Sequence, residues 1–276
     1  MKNKILLFSL ITVLSLLAFS CKRDDSLPVI EPGQSTRLEK ITSGNENVQL
    51  FKYNDRGLVS AVTVHWVYPD SPGTIGNLIA TVEYDSSNRI EKIRNNGKMQ
   101  VRFTYRGNTL DKTEEYDYKN RLVVSHQYFF TNNGRLSQIL DMVHAGNNQD
   151  GAGLTKHVYE YDQHGNVRMI TTLTRQNENK PFTSTLQVQY DDYDDKINSD
   201  PSFVFYPFVK GTVIQKNNPG KITVRDLKTQ SVLSVQKNKF IYDNQGFVLQ
   251  ESQRYSGSEV NRDVLLDYHY IPTQLR

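Results

Sequence analysis

The chain of 276 residues has one cysteine, Cys21, and one tryptophan, Trp66. A single cysteine excludes an internal disulfide and leaves no multi-thiolate metal site, so stability must come from packing and strand pairing. No segment of ten residues or more carries a convincing helical period. No run of basic residues forms a phosphate-tracking stripe, and 33 Lys+Arg against 30 Asp+Glu give a formal charge of only +3. That balance excludes the electrostatic footprint of a nucleic-acid binder. The histidines, His65, His126, His144, His157, His164 and His269, never take His-Glu-x-x-His spacing, and no Gly-x-Ser-x-Gly nucleophile turn occurs. His126 and His157 fall within strands, where a hydrogen-bonded sheet histidine is expected, and His164 belongs to a turn.

The one long apolar run, Ile5 to Phe19, follows Lys2 and Lys4 and stops at Leu17-Ala18-Phe19-Ser20-Cys21. A positive stretch, an apolar core and a small residue before the cysteine read as a lipoprotein signal, with Cys21 the lipidated first residue of the mature chain. A membrane span is the competing reading, since the run is only slightly short of the roughly 17 to 25 residues that a helix needs, but a lone cysteine directly after Ser20 and before Lys22-Arg23-Asp24-Asp25 argues against it. Removing residues 1–20 leaves 256 (276 − 20), and losing two lysines takes the charge to about +1. Residues 21–36, with Pro28, Pro32 and Gly33, read as the lipidated cysteine and a flexible tether. Residues 37–276 read as one β-rich domain.

Within that domain, segments of seven to ten residues rich in Val, Ile, Thr, Tyr and Phe alternate with Asn, Asp and Gly. Met99, Val101, Phe103 and Tyr105 alternate with Gln100, Arg102 and Thr104; Phe182, Leu186, Val188 and Tyr190, and Val264, Leu266, Tyr268 and Tyr270, behave alike. Such alternation gives each strand a dry and a wet face, as in an antiparallel sheet. A turn unit recurs, an aromatic, then Asp or Asn, polar residues with Gly or Asn, a basic or polar residue and an aliphatic: Tyr53 to Leu58, Tyr84 to Ile90, Tyr116 to Leu122, Phe130 to Leu136, Tyr161 to Val167 and Tyr242 to Val248. Asp or Asn bonds the backbone two residues on, and Gly or Asn takes the positive φ of a tight hairpin. The expected fold is all-β, an antiparallel meander of about 14–16 strands, strongly curved or barrel-like. Charges on both faces of Arg89 to Arg94 and of Thr109 to Glu115 favour a porin-like shape in water over a membrane-spanning barrel.

The turn units resemble the tyrosine-aspartate (YD) repeats of bacterial RHS-type surface proteins. Tyr190 to Asn198, before Pro201 and Phe203, resembles an element of a Bacteroidetes lipoprotein family of unknown function whose domain is porin-like. Cys21-Lys22-Arg23-Asp24-Asp25 resembles the signal that displays lipoproteins of that phylum outside the outer membrane, and Asp25-Ser26-Leu27 resembles its O-glycosylation acceptor. These resemblances imply architecture and a lipid-anchored, cell-surface location on the outer membrane; they bring no activity and no site residues.

Candidate sites are few. Asp191, Asp192, Asp194 and Asp195 supply oxygen ligands in a short stretch, a calcium candidate without the spaced Asp-x-Asp-x-Asp-Gly pattern; a solvated turn with capping aspartates is the expected reading. Pro201 to Phe208 reads as a loop or helical turn plugging one end of the sheet. Its Phe203, Phe205, Tyr206 and Phe208, with Trp66 on the face of Leu58, Val62 and Val64, are the candidate ligand-binding aromatics. Glu114 and Glu115 point to opposite faces of a strand and cannot flank one glycosidic bond. Residues 145 to 153 are glycine-rich but join two strands, so they read as a hairpin loop. No cofactor, metal or catalytic residue is assigned. The leading expectation is a monomeric binding or structural module, not an enzyme, for a glycan, peptide or protein ligand. A lipid carrier, which would show an unfilled apolar concavity, and a glycan-directed hydrolase, which would show convergent carboxyls, are the alternatives.

Overall fold

The computed structural model describes residues 36–44, 46–67, 75–96, 99–144, 153–175, 179–196, 198, 215–257 and 261–272. They form sixteen strands: β1 (Thr36–Ser43), β2 (Glu46–Tyr53), β3 (Val59–Val67), β4 (Ile75–Tyr84), β5 (Ile90–Asn95), β6 (Met99–Arg106), β7 (Thr109–Tyr116), β8 (Leu122–Phe130), β9 (Leu136–Val143), β10 (Leu154–Tyr161), β11 (Val167–Arg175), β12 (Thr183–Tyr193), β13 (Pro219–Asp226), β14 (Val232–Tyr242), β15 (Val248–Gly257) and β16 (Arg262–Pro272). Each pairs antiparallel with its neighbours in sequence, and β1 pairs with β16, so the meander closes into a barrel. Closure removes every sheet edge.

The turns follow from local chemistry. In Asp85 to Arg89 the Asp85 N–H donates to Arg89 O at 2.8 Å, while Asp85 Oδ1 accepts from the N–H groups of Ser87 and Arg89 at 2.8 and 2.9 Å. The same five-residue loop recurs at 54–58, 117–121, 131–135, 162–166 and 243–247, capped by Asn54 or Thr131 where Asp is absent. Its fourth position has positive φ and is Gly57, Asn88, Asn120, Gly134, Gly165 or Gly246. Gly134→Val and Gly165→Val should each cost about 1–2 kcal/mol, because a β-branched residue opposes that φ. Gly134→Asn should be nearly neutral, since Asn88 and Asn120 already fill the equivalent position. Chemical denaturation checks all three, and a costly Gly134→Asn would refute the shared geometry.

The recurring tyrosine has a second task at the inner rim. At the end of most even-numbered strands its hydroxyl donates to the carbonyl at the start of the preceding odd strand, at 2.6 to 2.9 Å: Tyr53 to Leu38, Tyr84 to Val59, Tyr105 to Ile90, Tyr161 to Leu136, Tyr193 to Val167 and Tyr270 to Val248. The basic residue of the turn unit packs over the ring, as in Arg89 over Tyr105 at 4.6 Å and Arg135 over Tyr161 at 5.5 Å. Those six strand pairs are thereby fastened at one rim by a hydrogen bond, and at Tyr53, Tyr84, Tyr105 and Tyr161 by a cation–π contact as well.

Two residues inward from that rim the even strands carry Phe51, Val82, Phe103, Tyr128, Tyr159, Phe240 and Tyr268, and the odd strands begin with buried Val59, Ile90, Leu110, Leu136, Val167 and Val248. The lumen is packed here: Ile90, Ile93 and Val167 are at most 1% exposed. The outer face carries charges, with Lys92 and Arg94 on β5, Arg102 on β6, Lys112 and Glu114 on β7, and Lys237 and Lys239 on β14, interspersed with exposed Ile79, Phe129, Ile241 and Leu265. The expectation of charges on both faces fails for β5. A bulge pairs Tyr84 with Ile90 but Glu83 with Lys92, so Ile90 and Ile93 face inward together and the charged residues stay outside. It holds for β7, where Glu114 meets Lys112 outside and Glu115 turns into the lumen.

Candidate functional site

Four residues inward from the rim tyrosines the lumen changes character. The positions before Tyr53, Phe130, Tyr161 and Tyr242 are Gln49, His126, His157 and Asn238, and their cross-strand partners include Asp141, Thr172 and Gln253. Polar groups on one tier of an enclosed face must find partners among themselves. On β7 to β11 they do so as a ladder. His126 Nε2 lies 3.0 Å from Glu115 Oε1 and its Nδ1 lies 2.7 Å from Asp141 Oδ1. Asp141 Oδ2 lies 3.0 Å from His157 Nε2, and His157 Nδ1 lies 3.0 Å from the Thr172 hydroxyl.

Geometry fixes the protons. With a carboxylate at each nitrogen, His126 donates twice and is an imidazolium. Burial opposes that charge, but the bonds to Asp141 and Glu115 outweigh it and hold His126 up at about 9. Burial likewise opposes ionisation of Asp141, yet the two histidine bonds bring it down to about 2. With its proton on Nε2, His157 donates to Asp141 and accepts from Thr172. The side chains of Glu115 and Asp141 keep 26% and 20% of their surface accessible although both face the lumen, so water reaches the ladder.

These shifts set a pH window. His126 is raised above its ordinary 6.5, so its stabilisation is complete below about 6.5 and is lost as pH rises through about 9. Asp141 is depressed, so its share is present above about 4 and is lost as pH falls through about 2. The melting-temperature gap between wild type and His126→Gln should therefore be widest near pH 5–6 and shrink by pH 10. A gap constant between pH 6 and 10 would refute the imidazolium assignment.

A second polar group stands on β14 to β16. Glu251 is 3% exposed and accepts from the Tyr268 hydroxyl at 2.7 Å through Oε2; burial raises its pKa above the ordinary carboxyl value, while hydrogen bonds with Gln253 and Tyr268 oppose that rise. Tyr255 donates to Gln253 at 2.7 Å, and Gln236 donates to Asn238 at 2.9 Å.

Solved structures with this architecture exist. A porin-like protein from Bacteroides uniformis aligns over 86% of this chain and 95% of its own, with 13% identity and a TM-score of 0.54. A porin-like protein from Bacteroides vulgatus aligns over 86% and 100%, with 13% identity and a TM-score of 0.56. The barrel is porin-like in fold. At that identity the likeness is one of fold alone, and neither a family model nor a curated protein sequence matches the chain.

The aspartate stretch does not converge. Asp191 approaches Lys221 at 4.0 Å, Asp195 approaches Lys196 at 3.4 Å, and Asp194 caps the backbone of Lys196 and Asn218 and accepts from Tyr242. No group that could hold a metal ion occurs among the described residues. Trp66 lies near the end of β3, but its side chain is outside the described residues, as are Cys21 and Phe203, Phe205, Tyr206 and Phe208. Sequence reasoning placed His126 and His157 in strands and missed their partners. The available signal was an acidic residue, Asp141, on the buried phase of a strand beside them.

Proposed function

We propose that this protein is a lipid-anchored lipoprotein of the outer-membrane surface, tethered through Cys21, whose barrel stands in water and works as a monomeric binding module. The carrying observation is the sidedness of the barrel. Charged side chains line the outer face of several strands at mid-height, where a bilayer would charge about 2–4 kcal/mol for each Lys or Arg, whereas the enclosed face is apolar at one end and polar at the other. The turn units, in this reading, are YD-type repeats adapted to a small barrel, in keeping with the lipoprotein resemblance.

The same sidedness bears on the alternatives. A lipid carrier needs an unfilled apolar concavity, and the apolar tiers are filled by the protein's own side chains. The sequence Thr172–His157–Asp141 has the connectivity of an activated hydroxyl, which favours a hydrolase as second reading. Backbone N–H groups of these strands are engaged in the barrel ladder, however, and do not form an oxyanion site. Binding is the better-supported role.

Two measurements test the reading. Cys21→Ala should abolish acylation and release the protein from the membrane fraction; unchanged retention sinks the anchor. Native mass spectrometry of the protein extracted gently from its own membrane should show a retained small molecule. A bare polypeptide, with no ligand recovered at any detergent concentration, would argue for a purely structural role.

A further inference from the structure

We propose that the outer wall of β10 to β12 carries a site for an acidic sugar, built from Lys156, Arg175 and Phe182. This rests on the proposed binding role and gives its ligand a chemical class and a place. The Lys156 ammonium lies 4.6 Å from the centre of the Phe182 ring, and the central guanidinium carbon of Arg175 lies 4.7 Å from the same centre. One ring therefore holds two cations together. Neither side chain has an ion pair or a hydrogen bond with a described residue, and Arg175 Nε is buried without an acceptor. Other outer-face arginines are neutralised across their strand pairs: Arg94 meets Glu83 at 2.6 Å, Arg168 meets Glu160 at 2.7 Å and Arg254 meets Asp263 at 2.9 Å. An aromatic face attracts a cation but carries no charge to cancel it, so this pair keeps its full positive charge.

Alternation puts the pair outside, because the neighbouring His157 and Thr172 face the lumen. Register sets Leu140 and Leu173 on either side of Lys156, and Leu154 opposite Arg175. Leu154 is 3% exposed yet belongs to neither lumen cluster, so the wall is locally packed on its outer side. None of these neighbours is acidic. Lys156 and Arg175 are both half-buried, and partial loss of water strengthens their pull on an oxyanion that reaches them. A guanidinium stacked on a ring still offers N–H groups at its edge, in a fork that fits carboxylate or sulfate. The rest of the surface selects what carries that anion. The barrel is closed and its edges are paired, so an acidic peptide cannot add as a strand and would bind through side chains alone. A bare inorganic ion would use only the cations. A sugar bearing sulfate or carboxylate would also lay its C–H face on Leu140 and Leu173 and present a hydroxyl to Ser184, which pairs with Leu173.

The test is calorimetric titration of the full-length protein in non-ionic detergent with five probes: a sulfated tetrasaccharide, tetragalacturonic acid, neutral maltotetraose, tetraglutamate and sodium sulfate. The expected result is saturable binding of at least one acidic tetrasaccharide, about tenfold or more tighter than maltotetraose, tetraglutamate or sulfate. Arg175→Gln and Lys156→Gln should each weaken that binding about fivefold or more. Lys239→Gln removes one charge elsewhere on the outer face and should bind like wild type. Thermal unfolding first establishes that each variant is folded, and the ranking of the probes on wild type is a test that needs no variant. Failure of both acidic tetrasaccharides to saturate the protein, or equal affinity for the neutral sugar, the acidic peptide or the free ion, would overturn the proposal. So would full affinity in a folded Arg175→Gln, or an equal loss in Lys239→Gln. A molecule still retained in native mass spectrometry alongside such a failure would remove this site and leave the binding role standing.

Discussion

Asp141→Leu should cost about 3–5 kcal/mol and lower the melting temperature by roughly 10 °C. The carboxylate bridges two histidines on β8 and β10, with bonds of 2.7 and 3.0 Å. Leucine fills a similar volume but accepts nothing. His126 then holds its charge against Glu115 alone, and His157 loses its acceptor while still bound to Thr172. The loss is therefore mostly the penalty of uncompensated buried groups, not the net worth of the ladder. A distinguishing consequence follows: the double variant Asp141→Leu with His126→Leu should recover part of the loss, because it removes the stranded charge. Thermal unfolding of both variants checks this, and a double variant less stable than the single one would show that the ladder stabilises by its own attraction.

Much of the fold was legible because its determinants are local. The units beginning at Tyr53, Tyr84, Tyr116, Phe130, Tyr161 and Tyr242 hold an Asx- or Thr-capped loop with a positive φ at a fixed place, and a hairpin results whatever the rest of the chain does. Alternation over Met99 to Tyr105 fixed the buried phase of β6 in the same way. Closure of β1 onto β16 was open in the sequence, since no local feature states whether a curved sheet meets itself. The ladder was harder still. Its groups come from five strands, Glu115 to Thr172, and each alone looks like an ordinary strand residue; only the register of β7 through β11 brings them to one level. The bulge beside Glu91 was hidden for the opposite reason. It depends on how β5 meets Glu83 and Tyr84, so strict alternation assigned its charges to both faces where the structure assigns them to one.

That one-sidedness gives the second large effect. Phe103→Glu should destabilise the barrel by more than about 5 kcal/mol and abolish folding at moderate temperature, whereas Thr104→Glu should change stability by less than about 0.5 kcal/mol. The two residues are adjacent on β6. Phe103 is 8% exposed within the main apolar cluster, and Thr104 is exposed on the outer face, where its cross-strand partner is Lys112. A carboxylate at 103 has no cation to meet among Val101, Ile93 and Leu110, so it must either protonate or force the tier open. At 104 the same group enters water opposite an ammonium and gains a little. A water-filled pore crossing a bilayer would rank the pair the other way, tolerating charge in the lumen and resisting it on the lipid face. Chemical denaturation of the two variants therefore reads more than core packing. The predicted order places the barrel in water with its apolar surface turned inward, and the reverse order would place it in the membrane.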